Sequence, residues 1–229
     1  MGTIVEFQRP DGKPVKGYLA EPAGVSAGAV VVVQEWWGLN AQIRGVAERF
    51  ASAGFTALVP DLYRGKSTVE AEEAHHLMDG LNFADAASQD IRGAAQFLKA
   101  RGGKVAVSGY CMGGALALLS LGAGTEFDAG VIWYGLPPLE YVDATRIRAP
   151  LLGHFATQDG FFPIANVDEL EKKLRAADRR FEFHRYLASH AFANETAVGP
   201  GRIPVTQYDA VWAQLAWDRT MRFLGHWIG

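Results

Sequence analysis

Apolar and polar positions fall into two periods along the chain, and their order predicts an α/β unit. Ile4 to Arg9 and Val15 to Ala20 alternate around Pro10-Asp11-Gly12-Lys13-Pro14, which reads as a partly exposed antiparallel hairpin. Ala29-Val30-Val31-Val32-Val33 is continuous and β-branched, as expected of a strand covered on both faces. Asn40 is placed to cap the next helix, where Ile43, Ala47 and Phe50 recur at helical spacing before Gly54 ends it. Phe55 to Pro60 reads as a second buried strand, and Val69 to Gly80, charged and Ala-rich, as an exposed helix. Ile91, Ala94, Ala95 and Leu98 mark the buried face of a helix reaching Arg101, stopped by Gly102-Gly103.

Further strands are expected from Lys104 into the glycine-rich turn at Gly109, and over Ala129 to Tyr134, Pro150 to Phe155 and Phe181 to Leu187. Val167, Leu170 and Leu174 define a helix, and Ala193 to Arg202 a polar loop. A last helix is expected from about Val205 to Leu224, with Tyr208, Val211, Trp212 and Leu215 inward. This alternation predicts a mainly parallel central sheet with helices on both faces and an N-terminal antiparallel hairpin. No repeat, linker or low-complexity segment divides the chain, so one domain over residues 1–229 is expected.

Composition narrows the partners. The chain is 49% hydrophobic and 21% charged with a net charge of -3, which gives no basic field for nucleic acid or an anionic membrane. The longest strongly apolar run, Ala27 to Val33, is far too short to span a bilayer. Met1 to Glu6 lacks the charged start and apolar core of a signal peptide, and Glu6 breaks the myristoylation pattern. A single cysteine forms no internal disulfide. A cytoplasmic monomer with a small-molecule partner is the expectation.

The chemistry centres on Val105-Ala106-Val107-Ser108-Gly109-Tyr110-Cys111-Met112-Gly113-Gly114. A β-branched run ends in Gly109-x-Cys111-x-Gly113 and passes into an Ala/Leu-rich helix, the spacing of a nucleophile elbow with cysteine for serine. The tight turn forces residues 109 and 113 against neighbouring backbone, where a side chain would clash. Cys111 would sit at a helix start, where amide groups and the dipole favour thiolate.

A cysteine nucleophile needs a base and an orienting acid, and in the elbow fold the order is nucleophile, acid, histidine. Ligands bind at the carboxyl ends of parallel strands. Of six histidines, only His190 follows Cys111 and lies just past a strand's carboxyl end. Asp159 occupies the loop after the preceding strand. Glu35 follows the most apolar strand and precedes two tryptophans, a setting that would raise its pKa. The amides of Trp36 and Met112 are the expected oxyanion donors. The adjacent His75 and His76 point apart on a helix and make no convincing metal pair. No metal or cofactor is called for.

Gln34-Glu35, Pro60-Asp61-Leu62-Tyr63, Gly109-Tyr110-Cys111-Met112-Gly113-Gly114, Gln158-Asp159 and Ser189-His190-Ala191-Phe192 together resemble the dienelactone hydrolase family (carboxymethylenebutenolidases). The resemblance covers nearly the whole chain. It implies an α/β-hydrolase fold and cofactor-free cleavage of a lactone or ester, with Cys111 as nucleophile, His190 as base, Asp159 as orienter and Glu35 contacting the thiol and helping to deprotonate it. Trp37, Tyr134, Phe161 and Phe192 are expected around an apolar pocket, along with Phe162. The family members that act on dienelactone grip its carboxylate with an arginine four residues past the histidine, where this chain has Asn194. Ala71 stands where a second arginine is expected. Only weak preference for an anionic substrate follows; Arg64 and Arg202 lie in loops at strand ends from which either could reach the pocket, but both are read as surface residues. The competing reading is a non-catalytic ligand-binding or redox-responsive protein on the same scaffold.

Overall fold

The computed structural model describes residues 1–200 and 202–229. Its strands are β1 (Thr3–Gln8), β2 (Pro14–Ala20), β3 (Ala29–Val33), β4 (Thr56–Pro60), β5 (Val105–Tyr110), β6 (Ala129–Trp133), β7 (Leu151–Gln158) and β8 (Phe181–Ser189). The principal helices are α1 (Ala41–Ser52), α2 (Ala71–Asp79), α3 (Phe83–Asp85), α4 (Arg92–Lys99), α5 (Met112–Ala123), α6 (Ile164–Ala176) and α7 (Ala210–Trp227). The strands form one sheet in the order β1-β2-β4-β3-β5-β6-β7-β8. β1–β2 and β2–β4 are antiparallel, and every later pair is parallel. This is the mainly parallel sheet with an N-terminal hairpin that the alternation predicts.

Alternation along each strand divides the core between the two sheet faces. Val31, Val33 and Val107 pack with residues of α4, α5 and α6. Val30, Val32 and Ala106 pack with residues of α1 and α7. From β3 the chain passes to β4 on one side, while from β5 it passes to β6 on the other. A crevice therefore opens at the carboxyl ends of β3 and β5, where ligands bind in sheets of this kind. Glu35 follows β3 and Cys111 follows β5, so topology alone brings both to that crevice.

The last helix corrects the sequence reading. It begins at Ala210, not near Val205, and Asp209 caps it by accepting from the amides of Val211 and Trp212. Its buried face is Ala213, Ala216, Trp217, Thr220 and Leu224; Tyr208, Trp212 and Leu215 pack partly buried against the same core as expected, while Val211 is 73% exposed. The cause is competition for backbone donors. The amides of Gln207, Tyr208 and Asp209 bond to the carbonyls of His190, Ala197 and Phe192, which holds this stretch extended beside the loop after β8.

Arg64 is also accounted for. A π-helical turn, Ala86–Ile91, runs into α4 and carries the buried Asp90. Asp90 accepts from Arg64 at 2.9 Å and from Arg9 at 3.2 Å, and Arg9 also reaches Asp11 and Asp85. Arg64 is thus committed to a structural network rather than to the crevice. In Asp90→Ala, Arg9 keeps two carboxylates but loses its most buried one. Urea unfolding should show a loss of about 1–3 kcal/mol.

Candidate active site

Cys111 adopts φ 54°, ψ -119°, a backbone conformation that a side-chain-bearing residue rarely takes and that costs on the order of 1–3 kcal/mol. The surroundings hold it there. Its amide donates to the Trp133 carbonyl at 2.9 Å, and its carbonyl accepts from Gly114 at 2.8 Å. Glycine is required on three sides. A Cβ at Gly109 would overlap the Gly113 carbonyl, one at Gly113 the Val33 carbonyl, and one at Gly135 the Cys111 carbonyl. The sequence reading anticipated the first two and missed Gly135, which approaches only through the β5–β6 pairing.

His190 follows β8 and is 3% exposed. Its Nδ1 lies 2.8 Å from Asp159 Oδ2. The other oxygen of Asp159 accepts from the amides of Phe161 and Phe162 at 2.8 and 2.9 Å, which fixes the carboxylate. Burial disfavours a charged imidazole. The neighbouring Cys111 and the hydrogen-bonded carboxylate of Asp159 outweigh it and raise His190 to about 10.

Glu35 is 4% exposed, and its oxygens are held by protein donors. Oε1 accepts from the Tyr134 hydroxyl at 3.2 Å and Oε2 from Asn194 Nδ2 at 2.7 Å. The resemblance implied a direct contact with the thiol, but these hydrogen bonds go elsewhere. Burial raises the Glu35 pKa, and the charge of His190 is the strongest opposing influence. Among the described residues, the amides of Trp36 and Met112 make no hydrogen bond, which leaves both free to donate.

These groups border a cavity of ≈ 860 Å³. Trp36, Trp37, Phe161, Phe162, Met112 and Asn194 line it, as the sequence suggests. Tyr134 and Phe192 do not. They are 1% and 0% exposed and pack beneath the site, Tyr134 at 5.2 Å from the His190 ring and 5.3 Å from Phe192. Their places on strand-end loops suggested a lining role, but the loops fold down and turn the rings inward.

A family model described as the dienelactone hydrolase family matches residues 15–228. The chain belongs to the dienelactone hydrolase family. Its similarity to "Protein usf" of Aquifex pyrophilus is 34% identity over all of both chains. With the carboxymethylenebutenolidase of Pseudomonas putida it shares 29% identity over 96% of this chain and 94% of the other. A dienelactone hydrolase-like promiscuous phosphotriesterase from metagenomic libraries has the same fold, at 23% identity and a TM-score of 0.85, with 100% and 99% of the two chains covered. The protein is a carboxylic ester hydrolase with the α/β-hydrolase fold.

The pocket of this hydrolase settles one alternative in the sequence reading and adds residues that it did not name. Arg202, expected on the surface, is half-buried and lines the cavity with Ile203 and Thr206. Pro137 and Leu136 contribute from the loop after β6, and Thr68 and Val69 from the segment before α2. These loops carry no periodic pattern from which a common lining could be read. The elbow generates a paired test. Gly109→Ala should destabilise by about 3 kcal/mol, because rigid backbone blocks the new methyl group. Gly122→Ala in α5, where nothing lies within 4 Å of the added Cβ, should stabilise by about 0.5–1 kcal/mol. Chemical denaturation of both variants checks the contrast.

Proposed function

We propose that this hydrolase cleaves a small ester or lactone through an acyl-cysteine intermediate on Cys111, with His190 and Asp159 completing a triad. The observation that carries the reading is the strained Cys111 at a glycine-walled elbow, facing a histidine whose other nitrogen lies 2.8 Å from Asp159.

The proton of the thiol passes to His190, and the sulfur attacks the carbonyl carbon. The amides of Trp36 and Met112 receive the negative oxygen that develops. The tetrahedral adduct collapses, breaking the bond to the leaving oxygen, which takes the proton from His190. Water then enters, gives a proton to His190 and adds to the thioester, and the acid leaves as the sulfur departs. Asp159 holds the imidazole in the required tautomer throughout. Cys111→Ala should abolish hydrolysis of a chromogenic acyl ester with the fold intact. Mass spectrometry of a quenched native reaction should place the acyl group on Cys111. Full activity in Cys111→Ala overturns the proposal.

Substrate charge is the second part of the reading. Ala71 and Asn194 bring no cation, and Arg64 is held by Asp90, so Arg202 is the arginine on the cavity wall. A neutral methyl ester should be turned over within about tenfold of the corresponding free acid. Arg202→Met should remove whatever preference for the acid exists, because a hydrogen bond to a charged group is worth about 1.5–3 kcal/mol. The ratio of kcat/KM values measures this. A preference for the acid of about a hundredfold that survives Arg202→Met would mean that another group holds the carboxylate.

A further inference from the structure

The Asn194 side chain has little left to offer a substrate. It is 2% exposed, and Nδ2 donates to Glu35 Oε2 at 2.7 Å. Oδ1 accepts twice from Thr196, from its amide at 2.9 Å and its hydroxyl at 2.6 Å. Those two donors leave the amide one workable orientation, oxygen toward Thr196 and nitrogen toward Glu35. On the other side of the carboxylate, Tyr134 donates to Oε1. Tyr134 is itself held in a left-handed conformation (φ 36°), with its amide bonded to the His154 carbonyl at 2.8 Å. Glu35 is therefore gripped by two neutral donors, each anchored by its own backbone surroundings.

The charged and titratable groups facing Glu35 come from several elements. His190 lies at the end of β8, Glu195 on the loop beyond it, Tyr134 after β6 and Tyr110 at the end of β5, with Cys111 following. Of these, only His190 can offset a buried negative charge. The coupling is mutual, since a carboxylate at Glu35 favours imidazolium at His190, and imidazolium favours thiolate at Cys111.

We propose that Asn194, oriented by Thr196, is a positioning residue that with Tyr134 keeps Glu35 as a fixed negative charge beside His190 whether or not substrate is bound, and so sustains the His190–Cys111 ion pair. This rests on Cys111 and His190 acting as nucleophile and base. In forming the pair, the S–H bond of Cys111 breaks and an N–H bond forms at His190. Glu35 takes no proton and acts through charge alone. The substrate then need not carry an acidic group to organise the site. Asn194 serves the resting enzyme rather than substrate recognition, which differs from the pocket role that its sequence position suggested.

The sign of the test follows from burial. Burial already favours the neutral acid at Glu35, and the two donors oppose that. Removing a donor raises the Glu35 pKa further, so its charge is lost at a higher pH, and with it the support for imidazolium and thiolate. Iodoacetamide alkylation of Cys111, the sole cysteine, reads thiolate directly from about pH 4 to about pH 9. In Asn194→Leu the acid limb of that profile should move up by about 1–2 pH units. Thr196→Val, which keeps the amide donor and loses the hydroxyl, should move it less in the same direction. Thr196→Ser, which restores the hydroxyl, should return it to the native position.

The Thr196 pair decides the matter if Asn194→Leu does not fold. Native profiles in Asn194→Leu and Thr196→Val overturn the proposal. So does an equal shift in Thr196→Val and Thr196→Ser, since the hydroxyl would then not be the cause. Alkylation does not depend on turnover. An absent acyl-cysteine with a shifted alkylation profile defeats the proposed reaction and leaves the clamp standing. A labelled Cys111 with unshifted profiles does the reverse.

Discussion

The site depends on one constraint, the close approach of four backbone segments around Cys111. Cys111 sits where its own φ is unfavourable, and the strain persists because the neighbours leave no alternative. Gly109 and Gly113 lie against each other, Gly113 against the end of β3, and Gly135 against the Cys111 carbonyl. Hydrogen bonds from Cys111 to Trp133 and Gly114 tie the elbow to β6 and to the start of α5. At a strand-to-helix elbow of this kind the side chain of the strained residue stands clear of strand and helix.

The remaining groups reach the elbow through sheet topology. Parallel strands deliver their carboxyl-terminal loops to one edge, and the reversal of direction between β3 and β5 opens the crevice there. β3 supplies Glu35 and Trp36, β7 supplies Asp159 and β8 supplies His190. Beneath them Trp133, Tyr134, Phe192 and Tyr186 form a packed aromatic floor, with Tyr134 against His190 and Phe192 against Tyr186 at 5.0 Å. That floor excludes water from below and makes every charge above it count for more.

Two buried carboxylates of the chain are handled in opposite ways. Asp90 is balanced by two arginines and serves as a joint between the hairpin, the segment after β4 and the π-turn. Glu35 receives only neutral donors, Tyr134 and Asn194, and its compensating positive charge lies on His190. Arginine stays positive at any pH the fold withstands, so Asp90 is settled permanently. Histidine gains and loses its proton, so the charge opposite Glu35 is not settled in the same way.

Much was legible in the chain itself. Period-two and period-3.6 patterns located the strands and most of the helices, because burial on one or two faces leaves a local record. The elbow was legible because its steric demand falls on residues within a few positions of Cys111. Asp159 and His190 were legible from chain order and strand ends, although neither carries a local pattern of its own. The start of α7 was not, because the amides of 207–209 are claimed by a loop distant in sequence. Gly135, the inward turn of Tyr134 and Phe192, the arrival of Arg202 at the cavity, and the enclosure of Glu35 by Asn194 were not legible either. Each is a contact between segments that the chain separates and only packing unites. Local sequence determined which residues could do chemistry. Tertiary structure decided which face one another, because distance, burial and the pairing of charge belong to no single stretch of chain.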